Sequence, residues 1–367
     1  MSADPAGVAL VLAGGIALGA FEAGAYEGLH EAGLSPSLRW LCGSSIGALT
    51  AAIIAGNPPD RRVERLRQFW QGVATDPAPA ISFWFGGLPA GPWRQAANQA
   101  SAWQTLFFGR AGLFKPRLAL GARAGVPDVP ALYDLAPLAS RLAGLVDFDL
   151  LNRGDLRVSF VATDVVSGER VVFDTGQGCR IEPRHVLASC AFLPLFAPVA
   201  FDGRLFGDGG LSSNAPLDVV TVDGAGRNLH CFVVDLFPPE GSRPHTLAAS
   251  ASRAGDLALG NQTRRLLEGH EREDHLRQLI AQLGDLLPAD TKTRPEVTAM
   301  LAEGRARPIT VSFISYRAGL DEAGLGKVFD FSTATIGDRW DAGRSRALEA
   351  AGLPVTPPSG RQVPCGS

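Results

Sequence analysis

The sequence predicts an α/β fold with a mostly parallel central sheet. Three observations carry this. The run "GVALVLAGG" (7–15) is short, apolar throughout and closed by glycines, the pattern of a strand buried on both faces. Residues 17–33 follow with helical spacing and stop at Gly33, a C-cap. "LRWLCGSS" (38–45) and "IGALTAAIIAGN" (46–57) then add a second strand, a sharp turn and a second apolar helix. Strand, glycine loop, helix, strand, turn and helix in that order open a parallel sheet with crossover helices.

The later elements read in turn. Residues 61–71 form a basic helix whose arginines make a solvated face. Residues 78–120 hold Phe83, Trp84, Phe85, Trp93, Trp103, Phe107, Phe108 and Phe114 among glycines and prolines. They read as an irregular insertion packed on the core or, because aromatics suit water–lipid boundaries, as a lid or acyl-chain wall. Strands are predicted at 156–163 and 170–174, and a short helix at 184–193. A hairpin spans 198–210, with Asp202-Gly203 as its turn. Apolar strands follow at 229–237 and 308–317, separated by a charged helical stretch over 246–285. The helix within 329–352 has a readable start. Ser332 is its N-cap, and Phe331 and Ile336 occupy the two positions of a hydrophobic staple.

Composition excludes several classes. The chain has 367 residues and is 46% hydrophobic, enough for one large α/β domain or two smaller ones. A net charge of -3 gives no electrostatic footprint for nucleic acid. Five cysteines without a C-x-x-C pair read as reduced thiols of a cytoplasmic protein. The start has no basic region before its apolar run, so no signal peptide is expected. No apolar run reaches the roughly 20 residues that span a bilayer. Any membrane contact is therefore expected to be peripheral.

Nucleotide and metal motifs fail on particular residues. A Walker loop needs Lys and Ser/Thr after its last glycine, whereas Gly19 is followed by Ala20 and Phe21. The dinucleotide fingerprint needs glycine at Ile16. In "GHEREDH" the histidines His270 and His275 are five apart, which puts them on different helix faces, so a solvated charged helix is expected there. No cofactor and no metal are expected.

Acyl-transfer chemistry fits better. In "GSSIG" the G-x-S-x-G frame centres on Ser45 and not on Ser44, because positions 42 and 46 are Cys42 and Ile46. Such a frame sets a serine on a tight strand-to-helix turn with its hydroxyl exposed. Two bases remain open. A Ser-His-Asp triad in the α/β-hydrolase order would use a histidine after Asp208. His245 follows a strand, whereas His230 precedes one and sits at the wrong end of a parallel sheet. A carboxylate base would be Asp208, in the glycine-rich turn of "FGDGGLSSNAPL".

"LAGGIALGAFEAGAYEGL", "GSSIG" and "ASCAFLPLFAPVAFDGRLFGDGGLSSNAP", in this order over about 210 residues, resemble the patatin-like phospholipase family. The resemblance implies a three-layer α/β/α sandwich and cleavage of acyl esters of lipids. It implies Ser45 as nucleophile, Asp208 as its only base, and an oxyanion hole from the backbone of Gly14, Gly15 and Ile16. The chain is then expected to divide into a catalytic part over 7–240, with the aromatic-rich insertion 78–120, and an extension of helices and a strand over 241–352, while the tail over 353–367, rich in Pro, Gly and Ser, is expected to be disordered. The family's loop reads G-G-G-x-[K/R]-G, whereas this one has Ile16 for the third glycine and Leu18 for the cation. A β-branched residue at positive φ is strained by about 1–3 kcal/mol, so residue 16 is expected at negative φ. Without the cation, a neutral glyceride or another acyl ester suits the site better than an anionic headgroup. A lipid-binding relative with weak catalysis is the alternative that the altered loop favours.

Overall fold

The computed structural model describes residues 7–76, 91–117, 130–224, 228–237, 243–304, 309–317 and 324–353. Phe83, Trp84, Phe85 and the predicted tail beyond Leu353 lie outside them. Helices flank a mostly parallel sheet on both sides, as the sequence predicts.

The strands are β1 (Gly7–Leu12), β2 (Leu38–Ser44), β3 (Lys115–Pro116), β4 (Tyr133–Asp134), β5 (Arg157–Asp164), β6 (Arg170–Asp174), β7 (Val199–Phe201), β8 (Arg204–Asp208), β9 (Leu229–Asp235) and β10 (Thr310–Ser315). β3 and β4 pair by themselves, and the other eight form one sheet. β10, β9, β1, β2 and β5 are neighbours in that order, all parallel. Covered on both faces, β1 has no need to alternate, and Val8 to Leu12 are all buried.

The edge of β5 is shared. Ser159 to Val161 pair with both β2 and β6, so those two strands lie on opposite edges. Ala162 and Thr163 pair with both β6 and β8, which places β8 on the β2 side, just past the end of β2. β2 runs parallel to β5 and β8 antiparallel, so the carboxyl ends of β2 and β8 meet head-on. The β7–β8 hairpin turns at Asp202 and Gly203, both at positive φ (50° and 72°), as an Asp-Gly turn requires.

Helix ends follow the predicted chemistry. Ser332 accepts from the Thr335 N–H and caps the C-terminal helix Thr333–Ala350, with Phe331 and Ile336 buried as its staple. Thr246 caps the long helix Leu247–Leu286 through the Ala249 N–H. Two expectations need correction. Arg62 is buried, donating to the Asn57 carbonyl, because the helix Arg62–Val73 starts against the core. His270 is also buried, 3.3 Å from Asp274 one turn on.

The C-terminal helix packs on the first helix, Gly19–Glu31, through bare backbone. A Cβ on Gly24 would lie 2.0 Å from the Trp340 carbonyl oxygen, and one on Gly343 would lie 2.0 Å from that of Phe21. Gly343→Ala should therefore push the helices apart and cost about 1–3 kcal/mol. Gly337→Ala, on the same helix with open space at its Cβ, should be neutral or stabilising by up to about 1 kcal/mol. Denaturant melts of the two variants check this, and equal stabilities would refute it.

Candidate active site

Parallel pairing sets Leu12 opposite Gly43, so the loop after β1 and the turn after β2 emerge side by side at the carboxyl end of the sheet. The turn is sharp. Ser45 has φ 56° and ψ -123°, and the helix Ile46–Ala55 starts at the next residue. Such a conformation costs about 1–3 kcal/mol in a non-glycine residue. The surroundings hold it. The Ser45 N–H donates to Ser189 Oγ (3.0 Å), whose hydroxyl donates to the Val161 carbonyl (2.6 Å). The Ser45 carbonyl accepts from Ala48 and Leu49 N–H and from Cys190 Sγ. A Cβ on Gly47 would lie 2.3 Å from the Leu12 carbonyl oxygen, so glycine there lets the helix rest on β1.

Asp208 arrives from the other direction. Ser44 pairs with Val161 and Asp208 with the adjacent Ala162. The Asp208 N–H donates to the Ala191 carbonyl (2.9 Å), and its carbonyl accepts from Thr163 Oγ1 (2.9 Å). Oδ1 accepts from the Gly210 N–H (2.7 Å). Only glycine fits next. A Cβ on Gly209 would lie 2.3 Å from the Val161 carbonyl oxygen and 2.6 Å from Ser44 Oγ.

Burial raises the Asp208 pKa to about 7, against the lowering effects of the Ser45 hydroxyl and the Gly210 N–H. The hydroxyl is thus close to the carboxylate, but Oδ2 is buried with no partner in full hydrogen-bond geometry among the described residues. Neither His230 nor His245, the histidines weighed for a triad, is joined to either residue, and nor is His185. His185 Nδ1 accepts from the Glu182 N–H in a helix cap, His230 Nε2 meets Ser312 Oγ, and His245 is exposed.

The loop 14–19 departs from expectation at two residues. Ile16 has φ 50°, not a negative value. The chain turns there into a 3-10 turn, Ile16–Leu18, closed by the Leu18 N–H on the Gly15 carbonyl (3.0 Å), and accepts the strain of a β-branched residue to do so. The Gly14 N–H is committed to the Asn214 carbonyl (3.1 Å) and is not free for a substrate oxygen. Gly14 serves by its size instead. A Cβ there would lie 2.7 Å from Asn214 Oδ1 and 3.0 Å from Ser45 Cβ. Asn214 also donates from Nδ2 to the Gly14 carbonyl (3.3 Å), and its own N–H donates to Gln262 Oε1 of the long helix (3.0 Å). Sequence reasoning missed Ser189, Asn214 and Gln262. The first two lie inside the quoted motifs, whereas Gln262 carries no local signal.

Ile16, Ile46, Leu49, Phe114, Leu138 and Phe196 are among the residues around an apolar cavity of about 40 Å³ that opens onto Ser45. Phe114 belongs to the aromatic stretch, so part of that stretch lines this cavity. The rest is divided. Pro92–Phe108 is a helix rather than irregular chain, and its Trp93, Trp103, Phe107 and Phe108 are exposed. Among the described residues no group of three metal-binding side chains gathers, and no helix is long and apolar enough to cross a membrane.

The Asp208 pKa sets a stability prediction. The unfolded carboxyl titrates near pH 3.9. Between about pH 4 and 7 the folded chain keeps a proton that the unfolded chain has released, so stability falls as pH rises through that window. The deficit, at most about 4 kcal/mol, persists above pH 7. Asp208→Asn is expected to melt a few degrees above the wild type at pH 8, with the gap closing toward pH 4. Equal melting temperatures at pH 8 would contradict the burial of this charge.

The family model described as patatin-like phospholipase matches residues 10–221, and one described as patatin phospholipase matches residues 259–351. No curated protein matches the chain. Among solved structures, VipD from Legionella pneumophila is 14% identical with a TM-score of 0.42, over 96% of this chain and 67% of that one. Full-length ExoU in complex with SpcU, from the type III secretion system of Pseudomonas aeruginosa, is 18% identical with a TM-score of 0.27, over 94% and 71%. The first family model covers more than half of the residues, and the chain belongs to the patatin-like phospholipase family.

Proposed function

We propose that the protein is a lipid acyl hydrolase that works through a Ser45–Asp208 dyad. The observation that carries this is the meeting of β2 and β8 on adjacent rungs of β5, which brings the strained Ser45, one residue past the end of β2, beside a buried carboxylate of raised pKa. Asp208 accepts the Ser45 proton as Ser45 Oγ attacks the acyl carbonyl. A carboxylate of pKa about 7 is a far better base at neutral pH than one of pKa 3.9. The Gly15 and Ile16 N–H groups stabilise the oxyanion. The proton passes from Asp208 to the leaving alcohol, and an acyl-enzyme remains. Water, deprotonated by Asp208, then attacks it and releases the fatty acid.

The apolar cavity takes the acyl chain. At about 40 Å³ it holds only a few water-sized volumes, so longer chains require the Phe114 wall to yield. The exposed aromatics on Pro92–Phe108 are the face that meets a lipid surface, since Trp and Phe partition to water–lipid boundaries. Trp103 and Phe107 stack there with ring centroids 5.8 Å apart. No headgroup cation stands in the loop, which favours neutral acyl esters.

Two predictions follow from this reading. Hydrolysis of p-nitrophenyl butyrate should vanish in Ser45→Ala and fall by about 10² to 10⁴ in Asp208→Asn, with Ser44→Ala still active. Asp208 must be ionised to accept a proton, so kcat/KM should fall tenfold per pH unit below about pH 7. A histidine variant as inactive as Ser45→Ala, yet folded, would instead support a triad. Second, a Trp103→Ala, Phe107→Ala double variant should sediment less with phosphatidylcholine vesicles and cleave vesicle lipid more slowly. Its activity on the soluble ester should be unchanged. Unaltered vesicle binding would remove the lipid-facing role.

A further inference from the structure

Arg339 lies in the C-terminal helix, 322 positions from the loop it touches, and is 2% exposed. Its guanidinium donates from Nη1 to the Ala17 carbonyl (3.1 Å) and the Asp330 carbonyl (3.2 Å), and from Nη2 to the Lys327 carbonyl (2.9 Å). A buried cation on backbone carbonyls is costly, and a planar fork with five donors is the group best able to satisfy several at once. The Ala17 carbonyl and the Leu18 N–H belong to one peptide. That N–H donates to the Gly15 carbonyl (3.0 Å), and the Gly15 carbonyl shares its peptide with the Ile16 N–H. Guanidinium, two peptides and the Ile16 donor therefore form a single hydrogen-bonded chain. Hydrogen bonds in series polarise one another, and a full positive charge at the head makes every donor down the line stronger.

We propose that Arg339 is a positioning residue for ester cleavage: it supplies, from the far end of the chain, the cation that the loop lacks at Leu18, and acts on the oxyanion through the Ile16 N–H. It also holds Ile16 at positive φ by fixing the turn that follows it. Being buried and engaged with carbonyls, it acts on the oxyanion and not on a lipid headgroup. The inference rests on the Ser45 reading above.

The test compares Arg339→Met and Arg339→Lys by turnover of p-nitrophenyl butyrate per fluorophosphonate-titrated site and by inhibition with an alkyl trifluoromethyl ketone. The ketone forms a tetrahedral oxyanion on the nucleophile. Deleting an oxyanion donor outright costs about 10² to 10³ in kcat, so weakening one should cost about 10-fold to 100-fold in Arg339→Met. KM should stay within about twofold of the wild type, and ketone affinity should fall in step with kcat. Arg339→Lys, which keeps the charge but not the fork, should recover part of both. A folded Arg339→Met with unchanged kcat and ketone affinity would overturn the proposal, whatever its melting temperature. If Arg339→Met does not fold, Arg339→Lys decides. Kcat lowered at least about threefold with KM unchanged supports the relay, and unchanged kcat refutes it. An inactive Ser45→Ala beside a fully active Arg339→Met would sink the relay alone, whereas an active Ser45→Ala would sink the dyad.

Discussion

The site depends on one strand edge divided between two partners. β5 gives its first half to β2 and its last residues to β8, on the same side. Had β2 been two residues longer, β8 could not dock, and Asp208 would have no route to Ser45. β2 stops because Ser45 breaks strand geometry at φ 56°. The same backbone strain that turns Ser45 out of the strand thus clears the space for the carboxylate. Ser189 links the parts by holding the Ser45 N–H and donating to Val161 between the two docking sites.

The free energy that maintains this arrangement comes from elsewhere. Ser45 and Ile16 both sit at positive φ, at about 1–3 kcal/mol each, and Asp208 is desolvated. Against these stand two strands buried along most of their length, β1 from Val8 to Leu12 and β2 at all but Arg39, and an elbow helix with no exposed residue. At about 25 cal/mol per Å² of apolar surface, that packing outweighs the strain locally. It also explains why the loop tolerates isoleucine. Backbone hydrogen bonds to Asn214 and the closure of the 3-10 turn fix the conformation, so the residue at its centre adopts whatever φ the turn imposes.

Local chemistry was legible in the sequence where it is decided locally. The strand–loop–helix order, the Asp202-Gly203 hairpin and the Ser332 cap each follow from neighbouring residues, and each is present. Ser45 and Asp208 could be singled out because glycines flank both, and the fold brings them together. The sign of φ at Ile16 was not legible, since intrinsic preference points the other way and tertiary contacts decide. Nor was the commitment of the Gly14 N–H to Asn214, a bond across 200 residues. Gln262 and Arg339 look in sequence like any other polar residues of a charged helix. Only their placement by the long and C-terminal helices brings them to the loop.

The glycine contacts between the first helix and the C-terminal helix bear on how the chain comes into being. Gly24 rests on Trp340, and Gly28 on Arg344, backbone against backbone. A ribosome adding about 5–20 residues per second delivers Trp340 roughly 15–60 s after Gly24. Through that interval the groove on the first helix has nothing to fill it, and the loop beside it lacks its distant guanidinium. Long-range pairings of this kind close late. The last native contacts around the loop form only once the helix Thr333–Ala350 has been made, so a nascent chain, or one cut before that helix, carries the serine and the aspartate without the frame that surrounds them.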